Sequence, residues 1–581
     1  MTTTVTQKHP AAYSILISLI VAIGGFLLGF DSSVISGATP FYKRVFELAE
    51  GSLLIGLSVS SIIAGAVIGN SFAGLLADRF GRKKVLLVTA VLFGICAAGC
   101  ALADSVGVFI AARIVGGLGI GLAILVAPMY IAEIAPPARR GLLVTFNQLN
   151  IVTGISVAYF SNYFILRLVP DAAVNWRWML GVGTIPAILY LLLLLIVPES
   201  PRWLVQRGRD EQALAIMRRV GGEEHATGEY QQIKASLAAH AAGEGAAFGE
   251  LFSKRMRFVM FIGLAIAFFQ QVSGINAILY YAPMIFEMAG GGKEAAFRQA
   301  VILGLVNFGM TIVSMFLIDR LGRKPLLLIG SLLMAVSLLT ASFAFLQARY
   351  ELTSDALARV AATVAGQAGD AVAVARGQAD AAAMSAVLGK VADQTFTEET
   401  AFFGRIKAET AKAVRQEVEG VLLRGDPSPD AALIRARANA GGGTAAVEEV
   451  AREVTEIRYS SYKDRILRSS ITVNAGLVLA ALLGFIAGFA ISLGPVMWAL
   501  LSEIFPNRLR GLAISVAGTW NAITSFTVAT VFPSQLEGLG SAATYLIYGL
   551  FMVACLLFVL KWIPETKGKT LEEIERDLVK A

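Results

Sequence analysis

Two ionisable side chains stand inside apolar stretches long enough to span a bilayer, Asp31 in the first stretch and Arg113 in the fourth. A charge at this depth is costly, so it is interpreted first as functional. Each lies about six or seven residues outward from the middle of its stretch, which at a helical rise of about 1.5 Å places both about 10 Å from the midplane. Equal depth and opposite charge predict that the two side chains pair.

Such a pair could carry a proton. Burial disfavours an ionised carboxylate, whereas a neighbouring guanidinium favours it. Arginine keeps its proton, so Asp31 is the predicted carrier and Arg113 the modulator. A motion that separates the two side chains would favour protonation, which links proton binding to conformation. The alternative interpretation is a static ion pair that only fixes the packing of two helices.

Neutral polar side chains crowd the seventh stretch, where Gln270 and Gln271 precede Gly274 and where Asn276 and Tyr280 follow it. A helix break at Gly274 would turn amides from both sides inward. Amides and hydroxyls offer donors and acceptors, which suits a polyhydroxylated ligand. The other interpretation is that the amides join helices and that Trp rings lie at the membrane interface. Further amide and ring candidates in other stretches are Gln148, Asn307, Trp498 and Trp520.

Basic motifs recur at the ends of stretches in the two halves of the chain. The segment DRFGRK at 78–83 returns as DRLGRK at 319–324, and Glu-, Arg- and Pro-containing elements return with it. Charge networks at helix ends can hold one conformation, so we predict a conformational latch. The alternative is that these bases only set topology. The predicted latch residues are Asp78, Arg79, Arg82, Glu133, Arg140, Glu199, Arg202, Asp319, Arg320, Arg323, Glu503, Arg510 and Glu565.

Twelve apolar stretches must position these residues. The chain has 581 residues, of which 56% are hydrophobic and 16% charged, and its mean hydropathy is +0.68. An ordinary soluble domain has about 25% charged residues. Two repeated halves of six stretches are typical of transporters with a substrate site between the halves. The stretches are 13–37, 52–77, 85–103, 107–133, 142–166, 177–197, 258–288, 298–318, 326–346, 470–502, 511–533 and 541–563.

The predicted fold is therefore an all-α membrane protein of two six-helix bundles. The spacing of the repeated motifs is much longer in the second half, which assigns an insert to 347–466. This segment is Ala-rich and lacks a spanning stretch, so we expect a helical extramembrane insert or a partly ordered arm. The predicted units are an N-terminal bundle at 1–199, a helical linker at 200–255, helices 7–9 at 256–346, the insert at 347–466, helices 10–12 at 467–563 and a tail at 564–581.

Charge predicts the topology. The loops rich in Arg and Lys face the cytoplasm in most membrane proteins. Applied to the repeated basic motifs, this rule puts both termini, the linker at 200–255 and the tail in the cytoplasm. The insert at 347–466 is then external.

Several classes of function find no support in the sequence. No Gly-rich phosphate loop precedes a Lys, and no nucleophile–base pattern stands out, so neither an enzyme nor an ATP-driven pump is expected. No cofactor or metal site is predicted. Cys96, Cys100 and Cys555 lack ligand or disulfide spacing and are interpreted as small buried residues. The formal charge of +7 collects in loops, so nucleic acid is not an expected partner.

Six segments together resemble the sugar porter family of the major facilitator superfamily. They read GFLLGFD at 25–31, DRxGRK at 78–83 and 319–324, PESPRWL at 198–204, QQVSGIN at 270–276 and PETKG at 564–568. Bacterial xylose–proton symporters and animal glucose facilitators belong to this family. The similarity covers nearly the whole chain outside 347–466.

The resemblance implies alternating access by two rocking bundles of the major facilitator fold. It implies that Asp31 and Arg113 form the proton-coupling pair, and the uncoupled animal facilitators have Asn in place of Asp31. Trp520 matches a Trp near the cavity of the family. The sugar contacts implied by the resemblance are Gln148, Gln270, Gln271, Asn276, Tyr280, Asn307 and Trp498.

The leading hypothesis is proton-coupled symport of a hexose or pentose by a monomer in the cytoplasmic (inner) membrane. A facilitative sugar uniporter is one alternative. A myo-inositol or cyclitol transporter is another, because some inositol transporters carry a large external loop where this chain has its insert. Leu28 and Thr519 differ from the xylose symporters, so the sugar stays open. A nutrient sensor and a multidrug antiporter receive less support, since the tail is short and the predicted cavity is rich in amides.

Overall fold

The computed structural model describes most of the chain, with gaps mainly at the termini and in the predicted insert. The first nine residues, residues 352–382 and almost all of the chain after 569 lie outside it, as do the predictions made for them. The described residues are 10–49, 51–135, 140–242, 248–254, 256–289, 292–351, 383–392, 394–396, 399–425, 431, 434–435, 447–456, 458–459, 466, 471–506, 509–567, 569 and 573.

Seven helices form six membrane spans in the N-terminal bundle. The sixth span bends where Val182 and Gly183 separate its two helices. The helices are α1 Pro10–Val45, α2 Leu53–Phe80, α3 Arg82–Leu102, α4 Val106–Ile134, α5 Arg140–Leu168, α6 Asn175–Gly181 and α7 Thr184–Ile196.

Small residues let α2 and α4 approach each other closely. A Cβ at Gly65 of α2 would lie 2.2 Å from the backbone oxygen of Ile114, and a Cβ at Gly117 of α4 would lie 2.1 Å from that of Ile62. Neither helix could come this near with a side chain at either glycine, which is the usual role of small residues between membrane helices. This contact brings Arg113 of α4 within reach of the α2 backbone.

The linker between the bundles consists of short helices, α8 Pro201–Gln206, α9 Asp210–Gly221 and α10 Glu223–Ala242, followed by a 3-10 turn at Phe248–Phe252. Polar contacts join α9 to α10. The Tyr230 hydroxyl donates to Asp210 Oδ2 at 2.7 Å, and Lys234 Nζ lies 3.1 Å from the same oxygen. These donors hold the pKa of the Asp210 carboxyl below its ordinary value.

The second half opens with four helices. They are α11 Arg257–Val272, α12 Ile275–Met288, α13 Lys293–Leu321 and α14 Arg323–Leu346. Gly274 separates α11 from α12 with φ +84°, a conformation that favours glycine. The seventh span, Arg257–Met288, is therefore broken between its amide residues.

The segment after α14 is folded outside the bundle where it is described. Its main helix is α15 Glu399–Glu419, which continues into a π-helical turn at Gly420–Arg424. Three short strands, β1 Arg349–Glu351, β2 Thr395–Phe396 and β3 Ile471–Thr472, form an antiparallel sheet in the order β2-β1-β3. The pairing of β1 with β3 joins the two ends of the insert. This sheet is an addition to the helical insert expected from the sequence.

The last helices are α16 Ala475–Ile491, α17 Leu493–Ile504 and α18 Arg510–Trp562. As one straight helix, the 53 residues of α18 would be about 80 Å long, far more than a bilayer core of about 30 Å. Gly540 has φ +78° and divides α18 into two spans. Eleven helical segments qualify as spans among the described residues, so the prediction of twelve spans is confirmed once α18 is counted twice.

Candidate functional site

Asp31 of α1 and Arg113 of α4 lie side by side in the N-terminal bundle. Arg113 is fully buried, and its Nη1 lies 3.4 Å from Asp31 Oδ1. The same guanidinium donates to the backbone oxygen of Asp31 at 3.1 Å and to that of Val59 at 3.3 Å. Arg113 therefore joins α4 to both α1 and α2, and it contacts the carboxylate through a single long hydrogen bond.

Tyr280 reaches the same region from the second bundle. It lies on α12 and is buried, and its side chain lies next to Ser32, the residue after Asp31. Its neighbour Tyr281 instead donates to the Ala529 backbone oxygen within the second bundle, at 3.3 Å. Tyr280 thus connects the helix that carries Asn276 to the helix that carries Asp31.

The amides on both sides of Gly274 form one hydrogen-bonded network. Gln271 Nε2 donates to Gln270 Oε1 at 3.2 Å, and Gln271 Oε1 accepts from Asn276 Nδ2 at 2.9 Å. Asn276 Nδ2 also donates to Ser525 Oγ at 2.6 Å. Because α12 starts in a new direction after Gly274, Asn276 meets Gln271 although the two are five residues apart.

Asn521 is the centre of this network, and the sequence reasoning missed it. Its Nδ2 donates to Gln270 Oε1 and to the Ala267 backbone oxygen, both at 2.8 Å, and its Oδ1 accepts from Gln271 Nε2 at 3.0 Å. Gln270 Nε2 donates in turn to the Leu493 backbone oxygen at 2.8 Å. The available signal was an amide directly after Trp520, within a predicted span.

The remaining candidates differ in exposure. Asn307 of α13 is buried, and Gln148 of α5 is half-buried. Trp498 and Trp520 keep 43% and 41% of their surface exposed, whereas Gln270 keeps 4%. The Trp520 ring stacks on Phe268 with centroids 6.3 Å apart. Helix α18 therefore presents the exposed Trp520 ring directly before the buried amide of Asn521.

At the end of the first bundle that carries DRFGRK, a charge cluster joins three helices. Arg82 donates from Nε and Nη2 to the two carboxylate oxygens of Glu133, each at 3.0 Å, and its Nη1 lies 3.1 Å from Asp78. Glu199 Oε1 accepts from the backbone amides of Arg82 at 2.9 Å and Lys83 at 3.1 Å. Arg82 is itself buried, so this paired charge is part of the bundle interior.

The second bundle repeats the cluster at DRLGRK. Arg323 pairs with Glu503 at 3.0 Å from Nε and at 2.7 Å from Nη2. Glu565 accepts from the backbone amides of Arg323 and Lys324, both at 3.1 Å, and Thr566 donates to Glu503 at 2.6 Å. The end of the molecule that holds both clusters is called the motif end below, and the opposite end, where β1–β3 lie, the insert end.

Other predicted latch residues make different contacts. Arg79 stacks over Phe80 at 5.4 Å, and Arg510 Nε donates to the Phe505 backbone oxygen at 3.3 Å. Arg320 is exposed, and its backbone oxygen accepts from Lys567. Arg202 is half-buried on α8. The side chains of Arg140 and Asp319 lie outside the described part of the structure.

Hydrogen bonds between the two bundles gather toward the insert end. Ser60 and Thr530 hydroxyls lie 2.6 Å apart, and Ser534 donates to the Gly51 backbone oxygen at 2.7 Å. Tyr159 donates to the Leu279 backbone oxygen at 2.6 Å. Arg167 pairs with Glu294 still nearer that end. By contrast, each ion pair of the Arg82 and Arg323 clusters described above stays within its own bundle. Two six-helix bundles joined toward one end around buried polar groups define a membrane transporter, not an enzyme.

Comparison with known proteins gives the family. The family model described as "Sugar (and other) transporter" matches residues 17–366 and 460–578. The chain therefore belongs to the sugar porter family of the major facilitator superfamily, and it is a multi-pass membrane protein.

The chain is similar along almost its whole length to known symporters. It is 33% identical to an arabinose-proton symporter of Bacillus subtilis, over 99% of this chain and 97% of the relative. It is also 33% identical to a D-xylose-proton symporter of Escherichia coli, over 98% and 96%. The inward open structure of the E. coli xylose transporter superposes with a TM-score of 0.66 at 30% identity, over 97% of this chain and 99% of that one.

Proposed function

We propose that the protein is a proton-coupled symporter that imports a monosaccharide across the cytoplasmic membrane by alternating access. One observation carries the proposal: a buried carboxylate–guanidinium pair in one bundle lies close to Tyr280 on α12, the helix of the other bundle that also carries Asn276 of the buried amide network. The similar symporters named above carry arabinose or xylose with protons, which supports a pentose or hexose as substrate.

The coupling begins at Asp31. When Asp31 is ionised, its attraction to Arg113 holds α1 against α4. A proton on Asp31 removes this attraction, while Arg113 keeps its hydrogen bonds to the backbone oxygens of Asp31 and Val59. Both terminal nitrogens of the guanidinium therefore keep a backbone acceptor when the proton binds, whereas the buried Nε has no hydrogen-bond partner among the described residues. Of the two backbone bonds, the one to Val59 of α2 does not depend on the position of α1.

The sugar binds at the amide network. Gln271 now bonds to Gln270, Asn276 and Asn521, and Gln270 also bonds to Asn521. A sugar hydroxyl both donates and accepts, so it can replace such an amide–amide bond without leaving either amide unpaired. Trp498 and Trp520 offer exposed ring faces to the apolar face of a pyranose. Movement of α12 on sugar binding then reaches α1 where Tyr280 lies next to Ser32.

The orientation follows from the basic motifs. The motif end, with its Arg and Lys residues, faces the cytoplasm, and the insert lies outside. Hydrogen bonds between the bundles near the insert end close the external side, so this conformation faces inward. In the outward-facing state, the two clusters at the motif end approach each other and act as the latch. A single chain contains all of these parts, so we expect the monomer to be the functional unit.

The decisive experiment compares the wild type with Asp31→Asn in proteoliposomes. The amide has nearly the shape of the carboxylate but carries no titrating proton. We expect the variant to lose uphill accumulation driven by an imposed pH gradient and to retain counterflow of labelled sugar. Wild-type uptake that ignores the pH gradient would instead support a facilitative uniporter. A panel of pentoses, hexoses and myo-inositol as competitors in counterflow identifies the substrate independently of coupling.

A further inference from the structure

The Cys96 thiol also faces the Asp31 carboxylate, and the proposed function gives it no role. Cys96 of α3 is buried, and its Sγ lies 3.9 Å from Asp31 Oδ1 and 3.8 Å from Oδ2. A thiol is a weak donor, and these distances are within the range of S–H···O contacts. Cys96 is therefore more than the small buried residue expected from the sequence.

The neighbouring helix leaves room for this contact. A Cβ at Gly116 of α4 would lie 2.4 Å from Cys96 Sγ and 3.5 Å from Asp31 Oδ2. Any side chain at Gly116 would push the thiol away from the carboxylate. Gly116 stands three residues after Arg113, so one face of α4 supplies both the guanidinium and the space for the thiol.

The groups around the carboxylate can be named for each helix that surrounds it. Arg113 of α4 supplies the one nearby charge, through Nη1 at 3.4 Å. Nη2 of that guanidinium donates to the Val59 backbone oxygen of α2. Tyr280 of α12 lies next to Ser32, the residue after Asp31. Only Cys96 of α3 faces both carboxylate oxygens among these groups.

We propose that Cys96 is a positioning residue for proton coupling, whose S–H donates to the ionised Asp31 carboxylate and keeps only a weaker, uncharged acceptor when Asp31 takes a proton. The inference rests on the proposed role of Asp31 as proton carrier. A donor to the ionised form favours that form, so the thiol sets the pH at which Asp31 takes up and releases its proton. It is not a proton carrier itself.

The test is the pH profile of uphill uptake by the full chain in proteoliposomes. Cys96→Ala removes the donor, so the carboxyl holds its proton to higher pH, and the half-maximal external pH should rise by about 0.5 to 1 unit. Cys96→Ser keeps a donor and should return the profile close to that of the wild type. Counterflow at a fixed pH should change less than about twofold in both variants, since the sugar site is untouched.

Cys555→Ala is the control. Cys555 lies on α18 in the second bundle and is equally buried. Its removal also deletes one buried thiol and should leave the profile in place. An equal shift in Cys555→Ala and Cys96→Ala, or failure of Cys96→Ser to restore the profile, would overturn the role of the thiol.

The two proposals fail in different ways. If the wild type responds to pH and Asp31→Asn abolishes the response, while Cys96→Ala leaves it unchanged, Cys96 has no part in coupling and the symport proposal stands. If wild-type uptake shows no pH dependence at all, both proposals are wrong. If the half-maximal pH moves downward in Cys96→Ala, the thiol does not donate to the carboxylate.

Discussion

The two bundles share one architecture at the motif end and differ in what they bury nearer the middle of the bilayer. Arg82 with Glu133 and Arg323 with Glu503 form almost the same cluster in each half. Further in, the first bundle buries a charged pair, whereas the second buries neutral amides. The sequence repeat therefore accounts for the matching charge clusters at the helix ends, but not for the different polar groups buried inside the two bundles. Under the proposed function, the two bundles have different roles. The first bundle responds to protons, and the second binds the hydroxyls of the sugar.

The difference also concerns hydrogen bonding. The amides around Asn521 bond to one another at 2.8–3.2 Å, so each has a partner in this conformation. The Asp31 carboxylate has one guanidinium contact at 3.4 Å and two long thiol contacts. A loosely held carboxylate can change its protonation at small structural cost, whereas a tightly bonded network discriminates between ligands that can and cannot replace its bonds.

The largest effect is expected when the buried cation of the first bundle, Arg113, is removed. Arg113→Leu leaves the Asp31 carboxylate without its cation and the Val59 backbone oxygen with only its helical hydrogen bond. Breaking a buried pair on one side costs about 3 kcal/mol or more, so the unfolding midpoint in detergent should fall and uphill uptake should vanish. The double variant Asp31→Asn/Arg113→Leu removes both charges and should regain most of the lost stability. A double variant no more stable than the single one would show that the two side chains are not energetically coupled.

The next largest effect is expected at Asn521, in the other bundle. Asn521→Leu leaves Gln270 Oε1 and Gln271 Nε2 each short of one partner. A buried amide group that loses a partner costs about 1–3 kcal/mol, so sugar affinity should fall by about fivefold or more. The pH profile of uptake should not move, because the Asp31 region is unchanged. Competition counterflow gives the affinity.

Ser525→Ala is the milder variant of the same network. It removes one acceptor of Asn276 Nδ2, which keeps its bond to Gln271. We therefore expect a smaller loss of affinity than in Asn521→Leu. A shift of the pH profile in either variant would contradict the division between the bundles.

Matched glycines test whether the two motif-end clusters are equivalent. Gly81 and Gly322 have φ +96° and +95°, and a Cβ at either would meet the carboxylate of Glu199 or Glu565 within 3 Å. Gly81→Ala and Gly322→Ala should each destabilise the protein by about 1–3 kcal/mol, through backbone strain and loss of the carboxylate contact. The unfolding midpoint in detergent measures both.

Gly208→Ala separates the two contributions. Gly208 has φ +69°, and nothing lies within 4 Å of a Cβ at that position. This variant carries backbone strain alone, so its midpoint should fall less than those of Gly81→Ala and Gly322→Ala. A loss in only one of the two motif variants would show that the clusters are not equivalent.

The sequence could predict the properties that depend on neighbouring residues, but not those that depend on contacts between residues far apart in the chain. Helix spans follow from local composition, so the twelve spans could be counted before the fold was known. The depths of Asp31 and Arg113 follow from counting along single helices. Asn521 acquires its role from Gln270 and Gln271, about 250 residues away, and no local pattern encodes that contact. The β1–β3 pairing likewise joins residues on both sides of the insert, and each strand is too short to be predicted alone.

The smallest effect is expected at the insert end, where an exposed ion pair crosses between the bundles. Arg167 and Glu294 keep more than half of their side-chain surface exposed, and Arg167 also stacks on Tyr163 at 4.7 Å. Exposed pairs contribute little and are screened by salt. Arg167→Ala should favour opening of this end slightly and change the counterflow rate by no more than about twofold at low salt, with no difference at high salt.

The matched control for that variant is Arg177→Ala. Arg177 pairs with Asp104 at 3.3 Å, and both residues belong to the first bundle, so their pairing does not depend on the approach of the second. Its removal should leave the salt dependence of counterflow as in the wild type. If Arg167→Ala and Arg177→Ala behave alike, the pair between the bundles has no part in the conformational equilibrium. The hydroxyl contacts at Ser60 and Tyr159 would then account for closure of this end.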